Sequence, residues 1–233
     1  MAIYAISDLH LSFSVNKPMN IFGEIWENYE EKIKENWIKK VRDDDLVLLP
    51  GDFSWAMYIK DALKDFEYLN ELPGKKILLK GNHDYWWTTL TSMRRFLKEN
   101  NLKNIDFIYN NSYEHDGNII VGTRGWTLSD NEEDKRLVKR ELIRLELSIQ
   151  DGIKKYGQDK PILVCMHYPP IVKNASSYRL EFAELMGKYN IKKCIYGHLH
   201  GTSQLGIIEG KIDGIEYNMV SCDHTKFKLI KII

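Results

Sequence analysis

Short apolar runs recur along the chain, and each is about as long as one buried β-strand. The first seven are Ala2–Ile6, Asp45–Leu49, Lys76–Leu79, Phe107–Tyr109, Asn118–Val121, Ile162–Met166 and Lys193–Tyr196. Three more follow near the C-terminus, with a predicted hairpin turn at Glu209-Gly210: Thr202–Ile208, Lys211–Val220 and Lys226–Ile232. Because strands need neighbours for their backbone hydrogen bonds, this pattern predicts that much of the chain forms β-sheets.

Apolar residues at helical spacing lie between the runs. One stripe with three- and four-residue intervals consists of Phe22, Ile25, Trp26, Tyr29, Ile33 and Trp37. A second stripe, which predicts a long helix, consists of Val138, Leu142, Leu145, Ile149 and Ile153. Acidic residues from Glu132 to Asp134 mark the beginning of that helix. Strands alternating with helices, followed by a β-rich tail, predict an α/β fold with two sheets and helices outside them.

Composition narrows the class of protein. With 233 residues, of which 43% are apolar and 28% charged, the chain is expected to form a single domain over residues 1–233. The 33 basic and 33 acidic residues balance, which disfavours a nucleic-acid partner. The three cysteines form no C-x-x-C pair, and no apolar stretch approaches the roughly 20 residues that a membrane span needs. We therefore expect a cytoplasmic protein without disulfides or a membrane partner.

Side chains that bind metals follow five of the apolar runs. These segments are Asp8-Leu9-His10, Gly51-Asp52, Gly81-Asn82-His83-Asp84, His167 and Gly197-His198-Leu199-His200. Ligands of open α/β sheets bind beyond the carboxyl ends of the strands, so all five segments are expected at one edge. Residues two apart in an extended chain point the same way, and glycines before a ligand allow a tight turn or close backbone approach.

The residue types indicate a metal centre. Any one of these short patterns alone is more often a hydrogen-bonded surface or core feature. Five of them together at one edge would bring several carboxylates and imidazoles out of water and close to one another. The free-energy cost of this desolvation and repulsion would be large unless a metal were bound. Carboxylate, imidazole and amide ligands without thiolate favour Mn, Fe, Zn, Co or Ni over copper or an iron–sulfur cluster.

In this order the motifs D-x-H, G-D, G-N-H-D, H and G-H-x-H resemble the calcineurin-like metallophosphoesterase superfamily, and the resemblance covers nearly the whole chain from Asp8 onward. It implies a metallo-dependent phosphatase-like fold, a four-layer α/β/β/α sandwich with two central mixed β-sheets. The chain departs from the Ser/Thr protein phosphatases after Gly51-Asp52. Phe53-Ser54-Trp55 replaces their Val-Asp-Arg-Gly continuation, and G-N-H-D replaces their G-N-H-E.

Carried onto this sequence, the resemblance implies a dinuclear metal site. Its first ion would be held by Asp8, His10, Asp52 and His200. Its second ion would be held by Asp52, Asn82, His167 and His198. Asp52 would thus bridge the two ions, which we expect to be Mn, Fe or Zn. His83 would be the substrate-facing acid, with Asp84 orienting it.

The expected reaction is hydrolysis of a phosphomonoester or phosphodiester. Two divalent ions bring four positive charges, of which Asp8, Asp52 and a bridging hydroxide remove three, so the centre attracts an anion. The hydroxide would attack phosphorus while His83 protonates the leaving oxygen. The missing arginine disfavours phosphoproteins, which leaves a small phosphoester, with a nucleotide or cyclic nucleotide preferred. Preference for monoesters or diesters, metal identity and oligomeric state stay open.

Two alternatives are a non-catalytic scaffold of the same fold and another type of dinuclear hydrolase. A scaffold is expected to have lost ligands or the acid, and a metallo-β-lactamase-like enzyme needs an H-x-H-x-D-H run, which the sequence lacks.

Some residues near strand ends have two interpretations, one structural and one functional. Aromatic residues at these ends either pack the core or stack on a nucleobase, and they are Trp55, Tyr58, Tyr85, Trp86, Trp87, Trp126 and Tyr168. Arg124 either binds phosphate or forms a salt bridge.

Three further features have a structural and a functional reading. The loops Leu11–Phe22 and Tyr168–Ser177 are either lids or solvated connectors. Cys165 is expected to be an apolar filler of the core. The basic run on the long helix is expected to be a solvated face paired with acidic residues, rather than a nucleic-acid stripe, and contains Lys135, Arg136, Lys139, Arg140 and Arg144.

Overall fold

The structure is a computed structural model that describes residues 1–173 and 178–233. Its strands are β1 (Ile3–Ala5), β2 (Leu46–Pro50), β3 (Lys75–Leu79), β4 (Ile105–Ile108), β5 (Tyr113–His115), β6 (Asn118–Thr123), β7 (Ile162–Met166), β8 (Val172–Lys173), β9 (Tyr178–Arg179), β10 (Lys193–Tyr196), β11 (Gly210–Ile212), β12 (Ile215–Met219) and β13 (Ile230–Lys231). Its helices are α1 (Tyr29–Lys40), α2 (Leu63–Glu71), α3 (Leu90–Glu99), α4 (Glu132–Tyr156) and α5 (Glu181–Lys188).

The strands form two large mixed sheets. The first has the order β13-β1-β2-β3-β4, and only β13 runs antiparallel to its neighbour. The second has the order β11-β12-β10-β7-β6-β5, with parallel central strands and an antiparallel strand at each edge. Strands β8 and β9 form a separate small pair. α-Helices connect most of the successive parallel strands, whereas β10 is joined to β12 through a 3₁₀ helix and the edge strand β11.

Apolar side chains fill three layers. The middle layer lies between the sheets and includes Ala5 and Leu48 from the first sheet and Cys165 and Ile195 from the second. On the outer face of the first sheet, residues such as Trp37 of α1 pack in another cluster. The third cluster joins α4 and α5 to the outer face of the second sheet. Three apolar layers separate four structural layers, which confirms the predicted α/β/β/α sandwich.

The two predicted helical stripes had different outcomes. The long helix is confirmed as α4, and the side chain of Asn131 caps it by accepting the backbone N–H of Glu133 at 2.8 Å. The first stripe is helical only from Tyr29, because Asn28 adopts a left-handed backbone with a φ of 48°. Before it the chain makes two short 3₁₀ turns, and Phe22 is 64% exposed rather than core-facing.

The C-terminal strand predictions were partly wrong. Residues 202–208 were predicted as a strand, but Gly201–Gly206 form a 3₁₀ helix. The predicted run Lys211–Val220 is instead a hairpin of β11 and β12, whose turn lies at Asp213-Gly214 and not at Glu209-Gly210. Asp213 and Gly214 have φ values of 48° and 84°, which is the backbone that a tight two-residue hairpin turn requires.

None of the helices in the described part of the chain is both long enough and apolar enough to cross a membrane. Of the predicted loop Tyr168–Ser177, residues 174–177 lie outside the described residues.

Candidate metal centre

The five polar segments predicted from the sequence meet at one edge of the sandwich. They lie beyond the carboxyl ends of β1, β2 and β3 in the first sheet and of β7 and β10 in the second. Backbone hydrogen bonds connect the segments. The N–H of Asp8 donates to the carbonyl of Gly51 at 3.0 Å, and the N–H of Gly197 donates to the carbonyl of His167 at 3.1 Å. Both sheets therefore contribute to the same site.

Six of the predicted ligands form two compact groups. Asp8, His10 and His200 make up one, with each ligand atom within 4.8 Å of the others. Asp52, His167 and His198 make up the second under the same limit. The second group also includes Asn82, because its Oδ1 lies 2.7 Å from His167 Nε2.

Asp52 lies between the two groups. Its Oδ2 is 3.5 Å from Nε2 of His167 in one group and 3.8 Å from Nε2 of His10 in the other. Its Oδ1 accepts the backbone N–H of His83 at 2.8 Å. The carboxylate is therefore held in place by the loop after β3 while its other oxygen faces both sets of imidazoles.

The atoms around His167 fit a cation. Nδ1 of its ring lies 2.9 Å from the carbonyl oxygen of Pro50, which can only accept a proton, so Nδ1 carries the hydrogen and Nε2 has a free lone pair. That lone pair faces Asn82 Oδ1, Asp52 Oδ2 and, at 3.2 Å, Nδ1 of His198. Four potential ligand atoms thus converge at one point, and a divalent cation would satisfy all of them.

Strained backbone supports this interpretation. Asp8, His10, Asp52 and His198 have φ values of 60°, 47°, 51° and 77°, in the left-handed region that residues with a side chain rarely adopt. Each such residue costs on the order of 1–3 kcal/mol, and such strain is concentrated at functional sites. Four of the seven predicted ligands have it, which indicates that the fold is arranged around the positions of these side chains.

Glycine is required next to two of the ligands, as the sequence predicted. A Cβ on Gly81 would lie 2.1 Å from Oδ1 of Asp52, and one on Gly197 would lie 2.4 Å from Oδ2 of Asp8. Both distances are far below van der Waals contact, so any larger residue would displace a carboxylate of the site.

Most of the imidazoles are neutral at physiological pH. Burial lowers the pKa of His10 and of His167 to about 3 and that of His198 to about 4, although the charge of Asp8 opposes the effect. A neutral imidazole keeps a lone pair for a metal, so these three predicted ligands could bind a cation without first losing a proton.

The carboxylates and His200 behave differently. Burial opposes ionisation of Asp8, but the hydrogen bond and charge of His200 hold its pKa below the usual range. Burial and the neighbouring charges of Asp84 and Asp8 raise the pKa of Asp52 well above its usual value. Burial also acts against the charged form of His200, yet hydrogen bonds to Asp223 and Asp8 raise its pKa to about 10. A bound cation would replace the proton of His200 at neutral pH.

Asp223 is a residue in contact with one of the predicted ligands that the sequence reasoning missed. Its Oδ1 lies 2.9 Å from Nδ1 of His200, and its Oδ2 accepts a hydrogen from Gln204 Nε2 at 2.9 Å. This carboxylate fixes which ring nitrogen of His200 faces Asp8, as carboxylates commonly do for metal-binding histidines. One signal was present: Asp223 follows the apolar end of the run Lys211–Val220, like the ligands that follow other runs.

Asp84 holds backbone groups rather than the ring of His83. Its buried carboxylate accepts backbone N–H groups of Asp52 at 2.9 Å, Phe53 at 2.9 Å and Gly81 at 2.7 Å, and the indole N–H of Trp86 at 3.0 Å. Both oxygens are therefore occupied by the loops after β2 and β3. Any orienting effect of Asp84 on His83 acts through the backbone that carries the ligands.

His83 lies at the open side of the site. Its ring centroid is 4.6 Å from that of Trp55 and 5.7 Å from that of His10. Nδ1 of His83 is buried, and among the described residues it has no hydrogen-bond partner. Burial lowers the pKa of this histidine. The residue as a whole is only partly buried and lines the cleft beside the site.

A cleft of about 410 Å³ opens beside these residues. His10, His83 and His200 form its polar side. Its apolar side is formed by Met19, Phe22, Ile25, Trp26 and Trp55. The predicted loop Leu11–Phe22 therefore contributes a wall of the cleft.

The structure separates the two readings for several other residues. Trp86 and Trp87 are buried in the core, as expected for packing residues, whereas Tyr58 and Tyr85 are 69% and 54% exposed. Cys165 is confirmed as an apolar filler between the sheets. Arg124 packs over the ring of Trp126, with 4.5 Å between its guanidinium carbon and the ring centroid.

Replacing Asp223 with asparagine should weaken metal binding. We expect Asp223→Asn to lower Mn²⁺ affinity by about 10–100-fold, because His200 loses the carboxylate that orients its ring. Asp213→Asn is the matched control, since Asp213 lies in an exposed hairpin turn. Both variants would be titrated calorimetrically with Mn²⁺, and equal affinities for the two would contradict the role given to Asp223.

Comparison with known proteins gives a family. The model of calcineurin-like phosphoesterases matches residues 1–202. No curated protein matches the chain. Three solved structures of similar fold differ widely from it in sequence. One is AQ665 from Aquifex aeolicus, a protein of unknown function with 21% identity and a TM-score of 0.52, where the match covers 99% of this chain and 95% of that one.

The other two structures have still lower identity. The phosphopantetheinyl hydrolase PptH from Mycobacterium tuberculosis has 12% identity and a TM-score of 0.57, covering 100% of this chain and 95% of its own. TT1561 from Thermus thermophilus has 15% identity and a TM-score of 0.56, with coverage of 98% and 96%. At such identities the similarity shows only the fold, whereas the family model extends over most of the sequence. The chain belongs to the calcineurin-like phosphoesterase family.

Proposed function

We propose that this protein hydrolyses small phosphoesters at a dinuclear metal centre held by the seven predicted ligands. Family membership supports a metal-dependent phosphoesterase in general. The observation that carries the finer proposal is the position of Asp52, whose Oδ2 lies within 3.8 Å of an imidazole nitrogen from each ligand group. A carboxylate placed between two groups of lone pairs is arranged to contact two cations at once.

Two bound divalent cations would supply positive charge for a phosphate group and lower the pKa of a bound water. Asp8 and Asp52 contribute two negative charges, so the centre keeps a net positive charge. Trp26 and Trp55 form an apolar wall of the cleft beside the centre. The residues of this chain therefore both attract an anionic group and leave room for the rest of its molecule.

His83 is proposed as the acid that protonates the leaving oxygen. It lines the cleft and is only partly buried, so part of its side chain faces the space that a substrate would enter. Burial lowers its pKa, but a phosphate anion close to the ring would favour the protonated form. Its backbone N–H donates to Asp52, so the acid and the carboxylate between the ligand groups are positioned by one loop.

The proposed substrate class is a small phosphoester with an apolar or planar group, such as a nucleotide or cyclic nucleotide. The cleft beside His83 has aromatic and aliphatic walls, which suit such a group. Trp55 has its ring 4.7 Å from that of His10, nearly parallel to it, and so packs against the site itself. The segment after Asp52, which is Phe53-Ser54-Trp55, contains no arginine, and this absence disfavours phosphoprotein substrates.

Turnover should depend on the metal. The Mn²⁺-loaded protein is expected to hydrolyse mono- or bis-nitrophenyl phosphate, to lose that activity after chelation and to regain it when Mn²⁺ is restored. Asp52→Asn should lower turnover by at least about 100-fold, because the carboxylate between the ligand groups loses its charge. Asp213→Asn, in the hairpin turn, should leave turnover unchanged. A protein that binds Mn²⁺ but hydrolyses neither compound would favour the non-catalytic scaffold.

The role of His83 can be tested with leaving groups of different quality. We expect His83→Ala to lower turnover of phenyl phosphate by about 100-fold or more, because its poor leaving group needs a proton. Turnover of dinitrophenyl phosphate should fall much less, and metal content should stay at the wild-type level. His224→Ala is a control, since His224 lies outside both ligand groups and contacts Glu209. Equal losses for both substrates would rule out the acid role.

A further inference from the structure

A second cleft lies beside the metal centre and takes no part in the proposed reaction. Its volume is about 460 Å³, and it is lined by the ends of β3, β4 and β6 together with one face of α4. In the first sheet β4 is two strands away from β2, which carries Asp52. The lining shares no residue with the predicted ligands, although Lys80 lies only two residues before Asn82, so the cleft is a neighbour of the metal centre and not part of it.

The lining is strongly basic. Lys80, Arg124, Arg140 and Arg144 line the cleft, and Glu141 is the one carboxylate among its lining residues. This set, here named the cationic cleft, therefore has a net charge of three positive units. Because like charges repel in a confined space, a cluster that served stability alone would be expected to balance its charges.

Glu141 holds two of the arginines in place. Its side chain is only 1% exposed, and Oε1 lies 2.9 Å from Nη2 of Arg140 and 2.8 Å from Nη1 of Arg144. Its other oxygen accepts the hydroxyl of Thr123 at 2.6 Å. One buried carboxylate thus fixes two guanidinium groups, each of which has further N–H donors left for a ligand.

Arg124 adds a third guanidinium to the lining. It packs over the ring of Trp126, and its buried Nε has no hydrogen-bond partner within the described residues. Neither Arg124 nor Lys80 forms an ion pair with any residue in 1–173 or 178–233. The backbone carbonyl of Arg124 accepts the N–H groups of His167 at 3.2 Å and Tyr168 at 2.9 Å, which connects the cationic cleft to the metal-ligand segment.

The beginning of α3 also adds positive electrostatic potential to the cationic cleft. Thr89 lines the cleft, and its hydroxyl caps the ten-residue helix by accepting the backbone N–H of Ser92 at 3.2 Å. The positive end of the helix dipole is therefore near the basic side chains, where it favours an anion.

We propose that the cationic cleft is a binding site for a phosphate-class oxyanion, separate from the metal centre. Planar guanidinium groups match the oxygens of phosphate, and the net charge of the lining favours an anionic ligand. The ligand has two potential sources. It is either a second phosphate group of the substrate bound at the metal centre or a free phosphate that binds independently.

Phosphate binding to the chelated protein tests the site without the metal centre. Calorimetric titration of the full chain with inorganic phosphate should give about one phosphate per chain. Arg124→Gln and Arg140→Gln should each weaken binding by about 10–100-fold, since each removes charged hydrogen bonds. Arg136→Gln is the matched control, because Arg136 lies on the same helix, is 74% exposed and does not line the cleft. Its affinity should equal that of the wild type.

Two outcomes would overturn the proposal: no phosphate binding by the chelated wild-type protein, or equal weakening by all three substitutions. Circular dichroism would verify that each variant is folded. Failure of the proposed hydrolysis would leave this result unaffected, because the titration uses neither metal nor turnover.

A kinetic comparison on the Mn²⁺-loaded protein then identifies the source of the phosphate. Only this arm depends on the proposed function. If the cleft holds a second phosphate of the substrate, Arg140→Gln should raise KM for a bisphosphorylated substrate by about tenfold and leave KM for nitrophenyl phosphate unchanged. If the cleft holds free phosphate, the two KM values should respond alike.

Discussion

The carboxylate of Asp52 is the point on which the geometry of the site depends. Its position is set by Asp84, which accepts the backbone N–H of Asp52 and also that of Gly81, and so fastens the loops after β2 and β3 to each other. The missing side chain of Gly81 leaves the space that Oδ1 of Asp52 occupies. These buried contacts keep the second oxygen of Asp52 directed between the two groups of imidazoles, where repulsion and strain would otherwise move it.

The site also depends on the packing between the sheets. The predicted ligands Asp8, His10, Asp52 and Asn82 follow strands of the first sheet, whereas the other three predicted ligands follow strands of the second. The apolar layer that includes Ala5, Leu48 and Cys165 sets the distance between the sheets, and thus between the two sets of ligands. The strained backbone at Asp8, His10, Asp52 and His198 is the local cost of this arrangement, which the cores on both sides offset.

Much of this arrangement follows from the sequence because strand ends in a parallel sheet meet at one edge. That rule predicted that the five polar segments meet at one edge, whereas the four layers and the division of the predicted ligands into two groups were implied by the family resemblance. The strand-end rule could not show which hydrogen bonds Asp84 forms, because the partners of Asp84 are backbone groups that only the folded chain brings together. Asp223 was missed because it lies outside the five polar segments, three residues beyond the end of the predicted run Lys211–Val220. The stripe before Tyr29 looked helical, but the left-handed backbone of Asn28 interrupts it.

Two cations are proposed to bind on either side of Asp52, and every step of the proposed hydrolysis depends on that pair. Anomalous X-ray scattering from crystals of the Mn²⁺-loaded protein measures this directly. We expect two peaks, one among Asp8, His10 and His200 and one among Asn82, His167 and His198, both adjacent to the carboxylate of Asp52. A single peak, or two peaks of which neither adjoins Asp52, would contradict the proposal.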